Sequence, residues 1–317
     1  MILLTGSTGF IGNALIHRLA SLDDRKILTC SRRMDAVFPA GIDCFPIKSV
    51  SVDTDWEDIL SGVEVVVHTI ARAHVMDDKS KDPLADFRKV NVDATLNLAS
   101  QAVRAGVKRF VFISSVKVNG ESTSVKPFTS FDIPAPLDPY GVSKHEAEQG
   151  LFALSNKTGL EVVVVRPPLV YGPGVRANFL RLMMLVKMGI PLPFGAIRNR
   201  RSMVALDNLV DLLVTCTRHP AAAGQVFMVS DERDVSTSDL FHMIASAMGK
   251  KSLLLPFPEG LIASIAALVG QAALANRLLG SLQVDISHTK SVLGWRPIVS
   301  MEESVNKTVE HFLKYQR

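Results

Sequence analysis

Two side chains four residues apart, Tyr140 and Lys144 in "YGVSK", are the first pair in this chain that could do chemistry together. On a helix, positions i and i+4 share a face, so hydroxyl and ammonium would point the same way. A nearby cation favours phenolate, and a phenolate near neutral pH is a general base. The same spacing also suits the solvated face of an amphipathic helix, and the pair alone leaves both readings open. A second constellation is "TGSTGFIG", where Gly6, Gly9 and Gly12 recur every three residues with Thr8, Phe10 and Ile11 among them. It follows an apolar run and opens a helical one, which is the context of a dinucleotide fingerprint. Gly6 would permit the tight turn, Gly9 a close backbone approach to pyrophosphate, and Gly12 helix–strand packing. The N–H groups at that helix start would meet the negative charge.

The third place is "LTCSRR", about 20 residues beyond the glycines, where an acidic residue would hold an NAD ribose. Ser31, Arg32 and Arg33 stand there, and no carboxylate comes before Asp35. Guanidinium beside a hydroxyl suits a 2′-phosphate, so NADP is favoured over NAD. The alternative is two solvated arginines with Asp35 on the ribose.

These groups need a scaffold, and the apolar pattern supplies one. Strands are expected at 1–4, 26–30, 44–48, 63–68, 109–114 and 161–166, with helices opening near Gly12, Asp55, Pro83 and Tyr140. Continuous apolar runs such as "VEVVVH" and "VVVV" suit parallel strands covered on both faces. Their alternation with helices makes the fold class α/β, a Rossmann-type doubly wound parallel sheet. After Arg166, Pro167, Pro168, Pro173, Pro191 and Pro193 break the texture. Residues 1–170 are therefore expected to form the dinucleotide-binding domain, with 200–232 returning to it through the strand "GQVFMVS". Residues 171–317 are expected to form mainly a smaller mixed α/β substrate-binding C-terminal lobe, with helices near Asn178 and Ser236.

Composition narrows the classes. The 317 residues are 47% hydrophobic and 21% charged, with a net charge of +4, which describes a globular chain with a sizeable core. Basic residues are scattered, and the densest cluster, Arg198–Arg201, lacks the interleaved aromatics of a single-strand binder, so no nucleic acid is expected. Cys30, Cys44 and Cys216 form neither a disulfide framework nor a zinc spacing; no metal is expected, and two of them read as inert core thiols of a reducing compartment. No signal-peptide pattern opens the chain, which points to the cytoplasm. The apolar stretch 261–275 is too short to span a bilayer and reads as a buried or interfacial helix, without stable membrane insertion.

Taken in order, "TGSTGFIG", "NVDATLNLA", "RFVFISSVKVNGE", "PYGVSKHEAE", "RPPLVYGPGV" and "LGWRP" resemble the extended short-chain dehydrogenase/reductase superfamily, in its nucleotide-sugar epimerase/dehydratase branch. The resemblance spans nearly the whole chain. It implies that Tyr140 is the catalytic base, that Lys144 holds the nicotinamide ribose and depresses the phenol's pKa, and that Ser115, beside Ser114, completes a triad. It also implies cofactor contacts from Ser49 and Val50, from Thr69, Ile70, Ala71 and Arg72, and from Asn91, Ser114 and Pro167. Substrate contacts fall on Ser115, Lys117, Asn178, Arg201 and Arg277; Asn178 could equally cap the helix that follows. The partner implied is a UDP-sugar, and the assembly a homodimer.

Two departures refine the expectation. Dehydratases of this branch carry Asp-Glu after the catalytic hydroxyl, and here Val116 and Lys117 stand there, which disfavours water elimination. Leu169 replaces the epimerases' asparagine after the sixth strand. His68 reads as a packed strand histidine rather than an acid. The expected activity is hydride transfer at carbon 4 of a UDP-N-acetylhexosamine or its 4-keto-6-deoxy form. Arg32 and Arg33 tilt it toward an NADPH-dependent 4-ketoreductase in surface-polysaccharide synthesis; a UDP-sugar 4-epimerase with retained NAD is the alternative, and a non-catalytic sensor a remote one.

Overall fold

The computed structural model describes residues 1–22, 24–33, 35–73, 80–268, 270, 275 and 278–315. Seven strands build the main sheet: β1 (Ile2–Thr5), β2 (Ile27–Ser31), β3 (Ile42–Pro46), β4 (Val65–His68), β5 (Arg109–Ile113), β6 (Glu161–Arg166) and β9 (Val226–Met228). Their spatial order is β3-β2-β1-β4-β5-β6-β9, and every pairing is parallel. Successive side chains of a strand face opposite sides. Ile2 and Leu4 of β1 accordingly join one apolar core with Val67 and Val111, while Leu3 joins the other with Val66 and Phe110. Helices α1 (Phe10–Leu22) and α7 (Leu206–Cys216) cover the first face, through Leu15, Ile16 and Leu209. The short α2 (Glu57–Leu60), α4 (Ala94–Arg104) and α5 (Pro139–Thr158) cover the second, through Leu60, Leu98, Ala147 and Leu151. The doubly wound sheet expected from the apolar runs is therefore present, and "GQVFMVS" does return to it as β9.

The chain order reverses between β1 and β4, and ligands of open α/β sheets bind beyond the carboxyl ends of the strands at such a point. A second sheet of three strands runs β10 (Asp234–Val235), β8 (Arg201–Ala205) and β7 (Leu169–Tyr171), mixed in direction. Around it α6 (Ala177–Met188), α8 (Thr237–Ala247) and the helix Met301–Tyr315 share a third core containing Phe179, Phe241 and Phe312.

Two local stops matter for the site. Asp138 caps α5 by accepting the Gly141 N–H, Pro139 takes the first turn, and Gly159 ends the helix at φ 79°; this is the usual pairing of proline at the start with left-handed glycine at the end. Ser236 and Asp239 form a reciprocal capping box on α8. The apolar stretch from 261 was read as a buried or interfacial helix; burial is not what the structure shows, since α9 (Glu259–Leu268) contains no buried residue. Its hydrophobicity does not mark the core.

Candidate active site

The glycine loop has the geometry its spacing demands. Gly6 sits at φ +80°, and a Cβ there would lie 2.4 Å from Thr69 Oγ1. A Cβ on Gly12 would lie 2.1 Å from the Gly6 carbonyl oxygen, so the first turn of α1 packs on the loop as only glycine permits. Gly9 is exposed, its N–H donates to Gly6 O at 2.9 Å, and an added Cβ would meet that oxygen at 3.2 Å. The first-turn N–H groups of Phe10 and Ile11 have no intrahelical acceptor. A cradle that a Cβ would fill, opening on a helix start, fits a dinucleotide pyrophosphate. Thr8 lies exposed on the same loop.

The loop after β4 closes one side. Thr69 Oγ1 donates to Thr5 O at 2.7 Å, and Ile70, Ala71 and Arg72 follow, all partly accessible. Asn91 braces this loop: it accepts the Arg72 N–H at 2.8 Å and donates to Arg72 O and to Ser143 Oγ. It sits fully buried in a π-helical turn, Lys89–Asp93, between α3 (Pro83–Arg88) and α4. The sequence match made Asn91 a cofactor contact. In this structure its amide ties that loop to α5.

Ser115 follows β5, accepts the Lys117 N–H at 3.2 Å, and so starts the short turn Val116–Val118. Val116 N donates to Pro167 O, which fastens that turn to the end of β6. Ser114 beside it is buried, and its hydroxyl has no hydrogen-bond partner among the described residues. A buried unsatisfied hydroxyl is costly, and a ligand's polar group would relieve it.

Tyr140 and Lys144 lie one turn apart on α5, as the spacing predicts. Burial, with the Asp138 charge adding to it, pushes the Tyr140 phenol up to about 12; a hydrogen bond from Ser115 opposes them. Burial pushes Lys144 down to about 7, against the Glu148 charge, which supports the ammonium. Its Nζ donates to Ile113 O at 2.7 Å and stands 4.3 Å above the Phe112 ring. The expectation that Lys144 depresses the phenol is therefore not met in this state. The amine is turned to the carboxyl end of β5, and desolvation dominates both groups.

Three further contacts were not read from the sequence. Asp138 pairs with Lys117, and Lys117 also reaches Glu121 at 3.1 Å. The Lys117 ammonium, matched to the substrate, is thus held by two carboxylates. Glu148, one turn beyond Lys144, forms a buried bidentate pair with Arg166 of β6, and Arg166 also donates to Asn119 Oδ1 at 3.0 Å. Asp231 accepts Tyr171 OH, Ala205 N and Asn208 Nδ2, joining β7, β8 and α7. Of these, the Asp138 cap was readable, as an aspartate followed by proline at a helix start. The other two need tertiary proximity that no local pattern encodes.

Elsewhere the residues divide. His68 is fully buried between Thr5 Oγ1 (2.8 Å) and Thr95 Oγ1 (3.1 Å), and burial, then Lys144, pushes it down to about 3, so it is a neutral packed histidine. Arg33 is engaged by Asp35 at 3.2 Å, while Arg32 is exposed. Ser31 Oγ accepts the Arg33 N–H and donates to Arg33 O. Ser49 and Val50 lie just past β3, Val50 packed on the core. Asn178 does not cap α6, whose cap position is Arg176; its buried Oδ1 lacks a partner among the described residues. Arg201 donates to Gly280 O at 2.9 Å, and burial lowers its pKa. Arg277 lies outside the described residues. Cys30 and Cys216 are buried thiols pushed up to about 12 by burial. No metal-ligating cluster occurs among the described residues.

A doubly wound sheet with a glycine cradle at the switch point and a Ser–Tyr–Lys group beyond β5 defines a dehydrogenase-type nucleotide-binding protein. The chain belongs to the NAD dependent epimerase/dehydratase family, whose model matches residues 2–230. It is 50% identical over 315 residues to a UDP-glucose 4-epimerase of Vibrio cholerae, covering 99% of this chain and 95% of that one. A UDP-glucose 4-epimerase of Mycolicibacterium smegmatis is 31% identical over 98% of this chain and 97% of its own. The solved structure of MoeE5 in complex with UDP-glucose and NAD superposes with a TM-score of 0.80 at 25% identity, covering 100% and 99% of the two chains.

Proposed function

We propose that this protein is a nicotinamide-dependent enzyme acting at carbon 4 of a UDP-sugar, and that its reaction is 4-epimerisation. The observation that carries the reading is the placement of Tyr140 and Lys144 one turn apart on α5, with Lys144 Nζ on the Ile113 carbonyl two residues before Ser115, together with a glycine cradle. The likeness to UDP-glucose 4-epimerases and to a structure holding UDP-glucose and NAD supports the substrate class. Gly6, Thr8, Gly9, Phe10, Ile11 and Gly12 would hold the dinucleotide phosphates, Ser31 and Arg32 the adenosine ribose, and Ser114 and Lys144 the nicotinamide side. The bound nicotinamide supplies a reversible hydride acceptor. Tyr140 takes the proton of the 4-hydroxyl, and Ser115 orients that oxygen. Lys144, near 7, gains its proton most readily when Tyr140 loses one, since phenolate favours the neighbouring ammonium and the ammonium favours phenolate. Enclosure raises the worth of each contact by excluding water. Asn178 and Arg201 would meet the substrate diphosphate.

A second reading, NADPH-dependent 4-ketoreduction, keeps one supporting observation. Asp35 is spent on Arg33, and Arg32 remains exposed at the end of β2 where a 2′-phosphate would lie. Incubating the protein with UDP-glucose and UDP-N-acetylglucosamine, separating products by chromatography and identifying the dinucleotide released on denaturation tests both. Formation of the 4-epimers with bound NAD supports epimerisation. Product only from a 4-keto sugar plus NADPH transfers the protein to the second reading.

A further inference from the structure

Helix α9 presents its aliphatic stripe outward. Leu261, Ile265 and Leu268 recur at i, i+4 and i+7 and so share one face, and they are 46%, 52% and 86% exposed. An amphipathic helix on a globular surface turns such a stripe to the core. The strap entering α9 adds exposed Leu255 and Phe257. That strap is tied to the end of α6: Leu255 N donates to Leu192 O at 2.8 Å, and Lys250 Nζ reaches Lys187 O at 2.5 Å. At the helix start, Arg198 N donates to Glu259 at 3.1 Å. Met184 and Met188 of α6, and Ile190 just past its end, are exposed as well.

Charge selects what covers it. Five basic residues lie in 176–200 and two in 248–268, against one carboxylate, Glu259. Lys187, Arg198, Lys250 and Lys251 are exposed. A second copy meeting this face through a two-fold axis would bring cation to cation, which disfavours the pairing. An anionic surface with an apolar interior matches both features at once. Among the described residues no helix is long and apolar enough to cross a membrane.

We propose that this face rests on an anionic bilayer, with α9 lying in the headgroup plane and the surrounding cations on lipid phosphates. The attachment is reversible and monotopic. It is independent of the reaction performed at Tyr140.

The test is co-sedimentation of the full chain with phosphatidylcholine vesicles that contain or lack phosphatidylglycerol. The protein should pellet with the anionic vesicles and be released near 1 M salt, where the Debye length is about 3 Å. Ile265→Ser with Leu268→Ser, and separately Lys250→Glu with Lys251→Glu, should each lower the partition coefficient about tenfold or more. Both pairs are exposed, and a melting curve matching the parent's confirms that the fold survives. Protein left in the supernatant with anionic vesicles overturns the proposal, as does equal binding to neutral ones. Light scattering that shows an oligomer dissociated by the Ile265→Ser, Leu268→Ser pair, without vesicle binding, assigns the face to a second copy instead.

Discussion

Replacing Glu148 by Gln should lower the stability of this protein by about 3–5 kcal/mol, the cost of breaking a buried ion pair by removing one partner. Glu148 and Arg166 expose 3% and 5% of their side chains, and two hydrogen bonds of 3.0 and 2.5 Å join them. Glutamine keeps the size and one acceptor oxygen. It removes the charge and sets an amide N–H against the guanidinium, so Arg166 is left buried without its counterion. For a chain of this length the unfolding entropy of about 2.1 cal/mol/K per residue gives roughly 0.7 kcal/mol per degree, hence a melting point lower by about 4–8 °C. The assay is scanning calorimetry of wild type and variant at pH 7. The volume-matched double change Glu148→Leu with Arg166→Met should recover at least half of the loss, because apolar replacements remove both desolvation penalties together. A shift under 1 °C in the single variant, or a double variant as unstable as the single, would refute the reasoning. The same Glu148→Gln change should make Lys144 harder to protonate, since Glu148 is the group that favours its ammonium.

Other consequences can be read at the bench. Asp138→Asn keeps an oxygen for the Gly141 N–H but removes the charge that raises Tyr140, so the acidic limb of the kcat/KM profile, where the base is lost to protonation, should move to lower pH; Lys117→Met, which unmasks Asp138, should move it up. Lys144 has a folded pKa of about 7, below its unfolded value, so the unfolded chain binds the extra proton between about pH 7 and 10.5 and the Lys144 contribution to stability rises across that window. Lys144→Met should therefore raise the melting point most below pH 7, and the gain should shrink toward pH 10; a pH-independent difference would contradict the assignment. Gly12→Ala should abolish dinucleotide binding in titration calorimetry, because its Cβ would fall 2.1 Å from a backbone oxygen. Gly9→Ala should fold like the parent and lose about tenfold or more in affinity.

The fold was legible because its signals are local. Runs such as Val162–Val165, buried without exception, cannot sit on a half-solvated strand, and Gly6, with its positive φ, and Gly12, with no room for a Cβ, announce the loop they build. The Tyr140–Lys144 spacing was legible for the same reason, since one helical turn sets it. The electrostatics were not. Whether Lys144 depresses the phenol depends on where its amine turns and how much water it loses, and both are set by β5, distant in sequence. Asn91, Glu148 and Asp231 hold partners up to 60 residues away, and such braces leave no periodic trace. The apolar stretch of α9 left burial and an interface both open, because hydrophobicity reports what a segment avoids, and burial in the chain's own core is only one way to avoid water.

The central claim is that Tyr140 moves the proton at carbon 4 while contributing little to holding the substrate. The most direct measurement is turnover and UDP-sugar affinity of Tyr140→Phe, taken on the same preparation as the parent. The account predicts that turnover falls by about 10²–10⁴ or more, with the dissociation constant within threefold of the parent's, as expected for a group that acts in the transition state. Turnover within threefold of the parent, or a loss explained wholly by weaker binding, would contradict it.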